Sequence, residues 1–230
     1  MDWGAESGEE EDMAGNPDER GLWQAAQALN RAAAAVSPAV SALPPLLFFT
    51  DPARTPRPWE VTARMPAGSG VVYRGFGRAE AGEEARRLRQ VTTARGMVLL
   101  IGQDEGLAEA AEADGVHLPE RDRGRGAELR HRHPRWTLTG ALHDPEAVPA
   151  ETDRALDALV LSPVFRAGGA SAARPPLGAE GLAERVARLG LPVYGLGGIT
   201  AGSVRALSGS GLCGVAAIEG VLEAFGPGRS

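Results

Sequence analysis

The chain has 230 residues, 43% of them hydrophobic and 23% charged, which is enough for one large core without a metal or disulfide staple. Its single cysteine, Cys213, excludes an internal disulfide and any multi-cysteine zinc or iron–sulfur centre. All 24 basic residues are arginine, which removes Schiff-base aldolase chemistry, pyridoxal phosphate attachment and the P-loop lysine, because each needs an amine that a guanidinium cannot supply.

The formal charge of −6 is unevenly spread: eight acids against Arg20 give residues 1–20 a net −7, which leaves residues 21–230 at +1. So acidic and apolar-poor a start cannot repay its ordering entropy, and residues 1–19 are expected to be a disordered tail. A nearly neutral body argues against a nucleic-acid partner. The apolar runs fall short of the ~20 residues that span a bilayer, so no membrane partner and a cytoplasmic location are expected.

Along the chain, Gly21 to Val36 places Leu22, Ala26, Leu29 and Ala33 on one face at helical spacing, which predicts an extra helix ended by Pro38. Residues 1–45 form an N-terminal extension, and residues 46–230 the main domain. The first predicted strand is Leu46 to Thr50, followed by a helix over Trp59 to Arg64. Next come Val71 to Arg74 with a helix over Ala79 to Arg95, then Met97 to Ile101 with a helix over Glu105 to Glu112. Gly115 to Leu118 precedes a helix over Gly124 to Arg132, and Trp136 to Thr139 one over Asp144 to Val148. The last three strands, Ala158 to Ser162, Pro192 to Leu196 and Gly214 to Ile218, precede helices over Gly178 to Leu189, Ala201 to Ser208 and Glu219 to Phe225.

The strands are apolar on consecutive positions, so both faces must be covered, as in a parallel α/β sheet. Eight such units predict a (β/α)8 TIM barrel, with an open doubly wound sheet as the alternative. In a barrel, function sits at the carboxyl ends of the strands. After the seventh strand stands Gly195-Leu196-Gly197-Gly198-Ile199, and after the eighth Ala217-Ile218-Glu219-Gly220. Glycine there lets backbone amides approach an anion, so the two loops read as a phosphate clamp or else as tight turns without a ligand.

Five segments then carry a resemblance. Ala113-Asp114-Gly115-Val116-His117-Leu118, Ser162-Pro163-Val164-Phe165, Pro176-Leu177-Gly178, the turn from Gly195 to Ile199, and Gly214-Val215-Ala216-Ala217-Ile218 resemble the thiamine phosphate synthase and TenI family, in family order and spacing. The resemblance implies a barrel that binds a thiazole phosphate, with the backbone of Gly197, Gly198, Ala217 and Ile218 holding the phosphate. Its synthases join the thiazole to a pyrimidine diphosphate with magnesium, whereas TenI relatives tautomerise the thiazole phosphate to its aromatic form.

Departures from the family pattern bear on that choice. Where the family resembles Gln-Leu-Arg-Glu-Lys this chain has Val72-Tyr73-Arg74-Gly75-Phe76, so Arg74 is kept as a substrate ligand and Phe76 replaces a lysine. Gly102-Gln103 stands in place of Asn-Asp, Asp104 comes one position late, and Asp122 matches the second magnesium carboxylate. Ala141 replaces a serine. Ser162 belongs to the substrate set, while Arg166 and Arg174 are either phosphate ligands or solvated loop charges.

His143, in Gly140-Ala141-Leu142-His143-Asp144, matches the histidine that TenI relatives use for proton transfer, or else is a neighbour of a helix cap. His117 reads as a packed structural histidine, and His131 and His133 lack a nearby further ligand for a metal.

The expectation is thus a TenI-like enzyme acting on thiazole phosphate through His143, with no cofactor. The alternatives are a synthase with Mg2+ and a non-catalytic thiazole-phosphate binding protein. The small-molecule thiazole phosphate is the expected partner, and a homo-oligomer stays open.

Overall fold

A computed structural model of the chain describes residues 17–143, 151–168 and 173–227. Eight parallel strands close into a barrel in sequence order: β1 Leu46–Phe49, β2 Gly70–Tyr73, β3 Val98–Gly102, β4 Gly115–Leu118, β5 Thr137–Leu142, β6 Ala158–Leu161, β7 Val193–Leu196 and β8 Gly214–Ala217. The ring is shut by Leu47 opposite Ala216. Seven α-helices accompany them among the described residues: α1 Pro17–Val36, α2 Pro58–Thr62, α3 Ala81–Ala94, α4 Glu105–Ala110, α5 Gly126–Arg132, α6 Glu180–Leu189 and α7 Glu219–Phe225.

Each strand buries both faces because successive side chains point to opposite sides of the sheet. Leu46, Phe48, Val71, Leu99, Ile101, Leu159, Leu161 and Val215 meet the helices in the outer core. Leu47, Phe49, Val72, Leu100, Val160, Tyr194 and Ala216 fill the lumen. The lumen is thus a packed core rather than a pore.

The extension closes the lower end of that lumen. After α1 a 3-10 turn, Pro38–Ala42, brings Val40 and Leu43 into the lumen cluster beside Cys213. Asn30 of α1 is buried and donates its side-chain amide to Cys213 O at 2.9 Å and Leu43 O at 3.2 Å, with Val40 O at 3.4 Å. One buried polar side chain therefore ties α1 to three carbonyls at the plug, of which Val40 O also accepts from Leu43 N.

Three expectations need correction or comment. Residues 17–19, expected in the tail, form the first turn of α1, where a leading proline and Asp18 and Glu19 suit the positive end of a helix. Residues 1–16 lie outside the described residues. The helix expected over Ala201 to Ser208 is only a 3-10 turn, Val204–Leu207. Gly202, Ser203, Ser208 and Gly209 surround it with poor helix formers, and α1 packs alongside, with Gly21 facing the Ala201 methyl. The helix expected over Asp144 to Val148 falls outside the described residues.

Candidate active site at the barrel mouth

The carboxyl ends of the strands surround a cavity of about 720 Å³. Phe49 closes β1 there, Arg74 follows β2, Gly102 closes β3, His117 lies in β4, Ala141 and His143 lie in and beyond β5, Ser162 follows β6 and Leu196 closes β7. The two-residue period explains the set. Arg74 continues the inward row of Val72, Gly102 that of Leu100, and Ser162 that of Val160. Of the residues predicted for the site, Arg74, His143 and Ser162 border this cavity.

Arg74 is locked in place at its neck. Its backbone amide donates to Thr50 Oγ1 at 2.9 Å, and its Nε to Thr50 O at 2.6 Å. The guanidinium lies 5.6 Å from the Phe49 ring centre and 5.5 Å from that of Phe76, within reach of a cation–π contact. Its Nη2 is buried without a hydrogen-bond partner, and the nearest paired carboxylate oxygen, on Asp51, is 3.8 Å away. The Arg74 side chain borders the cavity, where a permanent cation suits an anionic ligand.

Burial lowers the Arg74 pKa, with Asp51 opposing, and a guanidinium starts high enough to stay charged. Asp51 itself is engaged by Arg54 at 2.9 Å. Burial pushes the Asp51 carboxyl up, but the side-chain and backbone bonds from Arg54 outweigh it and hold it below its ordinary value. Arg54 also pairs with Glu219, the first residue of α7, so a chain of charges crosses the β1–β8 seam. The sequence signalled neither Arg54 nor Glu219, because their pairing joins loops 165 residues apart.

The two residues at the lip of the cavity have backbones that L-residues rarely adopt: Phe76 has φ 49° and Gln103 φ 68°. Each costs on the order of 1 kcal/mol. The Phe76 loop is braced from behind, where the buried Tyr73 hydroxyl donates to Glu84 at 2.7 Å and Arg78 binds the same carboxylate at 2.7 Å.

Two histidines face the cavity in different states. His117 is buried in the lumen wall, with Nδ1 3.0 Å from Thr139 Oγ1 and its ring edge-to-face with Phe49 at 4.9 Å. Burial, aided by the charges of Arg74 and His143, pushes its pKa down to about 3. It is therefore a neutral packed histidine at physiological pH, though it borders the cavity. His143 is half-buried. Its pKa is lowered by burial and by Arg174, against an opposing pull from Glu120. Its amide donates to Glu120 Oε1 at 2.9 Å, and its Nδ1 lies 3.3 Å from Glu120 Oε2.

The glycine turns stand beside the cavity rather than in its wall. Gly197 and Gly198 have φ of 104° and 64°, and a Cβ on Gly198 would sit 2.5 Å from Arg166 O. Only glycine fits there. Gly220 would bring a Cβ within 2.2 Å of Ile199 O, so the start of α7 presses directly on the turn after β7. The two segments expected to form one clamp are thus neighbours. Phe165 N binds Gly197 O at 2.9 Å and Ser203 Oγ binds Gly198 O at 3.0 Å. Among the described residues no hydrogen bond is donated by the Gly198 amide. Ala217 turns its methyl into the outer core and Ile218 packs on the lumen, so only their backbones could serve a ligand.

Other expected ligands lie farther off. Arg166 is exposed and outside the cavity wall. Arg174 is exposed too, yet close enough for its charge to act on His143. For magnesium, Asp122 is paired with Arg121 at 3.6 Å and does not border the cavity. Asp104 does border it, but its carboxylate caps α4 through Leu107 N at 2.9 Å. This arrangement does not make the pair of cavity-facing carboxylates that a hard dication takes.

On the outer wall, tertiary packing gives His133 the neighbours that the sequence did not. Its Nε2 lies 2.9 Å from Glu105 and 3.5 Å from Glu109. Arg132 and Arg125 already hold Glu105, at 2.9 and 3.3 Å.

A closed parallel (β/α)8 barrel with a cavity at the carboxyl ends of its strands defines the class: a TIM-barrel protein. More particularly, a family model described as thiamine monophosphate synthase matches residues 60–221, and the chain belongs to the thiamine phosphate synthase and TenI family. It is 32% identical to the putative thiamine-phosphate synthase 2 of Aquifex aeolicus over 139 residues, 60% of this chain and 74% of that one. It is 33% identical to the thiamine-phosphate synthase of Methanoculleus marisnigri over 135 residues, 59% and 64% of the two chains. Among solved structures, thiamine phosphate pyrophosphorylase from Pyrococcus furiosus superposes with a TM-score of 0.66 at 24% identity, covering 81% of this chain and 94% of that one. That likeness shows the fold.

Proposed function

We propose that the chain is an enzyme of thiamine biosynthesis that binds a thiazole phosphate at the barrel mouth and moves a proton on it with His143. The observation that carries this reading is that one cavity is bordered both by the Arg74 side chain and by a half-buried histidine whose pKa lies below its ordinary value. Such an imidazole is neutral near pH 7 and can take a proton from one atom of a ring and return it to another, so tautomerisation has no net proton cost. Arg74 and the amides of Gly197, Gly198 and Ile218 supply the anion-binding groups, with Ser162 on the cavity wall; the Ala217 amide belongs to the β1–β8 ladder.

The names of the relatives favour a second reading over this one: coupling of thiazole phosphate to a pyrimidine diphosphate, with magnesium in the family manner. The cavity residues support it less. A departing diphosphate builds charge that fixed cations must hold, and among the described residues bordering the cavity the one guanidinium is Arg74. A non-catalytic thiazole-phosphate binding protein is the third reading.

One assay separates them. The protein is incubated with the non-aromatic thiazole phosphate alone, and then with pyrimidine diphosphate and magnesium. Aromatisation that needs neither addition, and that falls at least about a hundredfold in His143→Gln, is the expected result. Product formed only with both additions identifies the synthase, and binding without turnover the third reading.

A further inference from the structure

We propose that Glu120 is the positioning residue for His143, gripping both its backbone and its ring so that Nε2 is the nitrogen presented to the cavity. This rests on the reading of His143 as the proton carrier. Glu120 starts the 3-10 turn, Glu120–Arg125, that follows β4, and His143 follows β5. The two strands pair in register, with His117 opposite Thr139 and Leu118 opposite Gly140, so the residues just past their ends emerge side by side.

The carboxylate is used at both oxygens. Oε1 accepts the His143 backbone N–H at 2.9 Å, which fixes where the residue leaves the barrel. Oε2 stands 3.3 Å from Nδ1, so the proton of the neutral ring resides on Nδ1 and the lone pair on Nε2. With Nδ1 turned to Glu120, the ring edge left for the cavity that His143 borders is the one carrying Nε2.

The same carboxylate sets the ring's basicity against its surroundings. The charges that face His143 are Arg174 and Arg123, which oppose protonation, Glu120, which favours it, and His117, which is neutral. Burial also opposes protonation, and acts more strongly than any of them. Without Glu120 nothing among the described groups would counter burial and two guanidinium groups, and the base would be too weak to hold the proton it must carry. Both side chains are about 30% exposed, 29% for His143 and 31% for Glu120. Solvent therefore screens the pair and keeps its effect modest.

The test follows the His143 ring by 15N and 13C NMR in the full-length chain, assigned by difference from His143→Gln among the four histidines. In the native protein the 15N shifts should show the Nδ1–H tautomer. In Glu120→Gln the His143 titration should move down by roughly 0.5 to 1 unit, the tautomers should mix, and the acid limb of the rate profile should shift with them. His117, held by Thr139, should stay unchanged and so report an intact barrel. A native ring protonated on Nε2, or a His143 titration that ignores Glu120→Gln while His117 is unperturbed, overturns the proposal. Since tautomer and titration are read without turnover, an inactive protein would count against the proton-carrier reading alone. If Glu120→Gln does not fold, the native tautomer decides.

Discussion

Lowering the pH should expose His117 as a source of acid instability. In the unfolded chain a histidine titrates near 6.5, whereas in the barrel wall burial, with help from Arg74 and His143, holds this one at about 3. The folded pKa is the lower, so the unfolded chain takes up the proton first. The contribution is fully present above about pH 6.5 and drains away as the pH falls towards 3. At pH 5 protonation favours the unfolded chain by about 2 kcal/mol, against about 0.2 kcal/mol at pH 7. Other groups titrate too, Asp51 among them, so the measurement is a comparison. Urea unfolding of the native protein and of His117→Gln, which keeps a polar group near Thr139, is followed at pH 7, 6 and 5. The native protein should lose about 2 kcal/mol more than the variant over that range. Parallel loss in the two proteins would show that His117 is not held neutral in the fold, and the description of the lumen wall would be wrong.

Arg74→Ala should weaken thiazole phosphate binding roughly 10- to 100-fold by calorimetry, the scale of a charge-assisted hydrogen bond, and Arg74→Lys should not restore it because the bond from Nε to Thr50 O is lost. Gly198→Ala meets both a left-handed backbone and Arg166 O. It should lower stability by about 1–3 kcal/mol and abolish phosphate competition, measured by thermal melting and ligand displacement. Asn30→Ala removes the side-chain donor to the carbonyls of Cys213 and Leu43 at the barrel floor. It should cost about 1–3 kcal/mol by urea unfolding, with binding at the mouth unchanged.

The eight strands were legible because a parallel barrel buries both faces, which leaves runs such as Leu46 to Phe49 and Ala158 to Leu161 wholly apolar. The site was legible where it rides on those strands: Arg74, His143 and Ser162 are two residues beyond lumen positions or at strand ends, and they reach the cavity. What the sequence hid depends on contacts between separate loops. Glu120 carries no signal in the sequence, and only the pairing of β4 with β5 sets it against His143. Arg54 and Glu219 meet across the barrel seam, and Glu105 and Glu109 reach His133 from another helix. Local pattern also overstated one helix. The segment around Val204–Leu207 has helical spacing, yet glycine and serine shorten it to one 3-10 turn and α1 packs beside it.

The most direct measurement is a crystal structure of the full chain with thiazole phosphate bound. The phosphate should lie on the amides of Gly197, Gly198 and Ile218, with the thiazole ring in the mouth cavity between Arg74 and His143 Nε2. A phosphate bound away from those turns, or a ring out of reach of His143, would contradict the account.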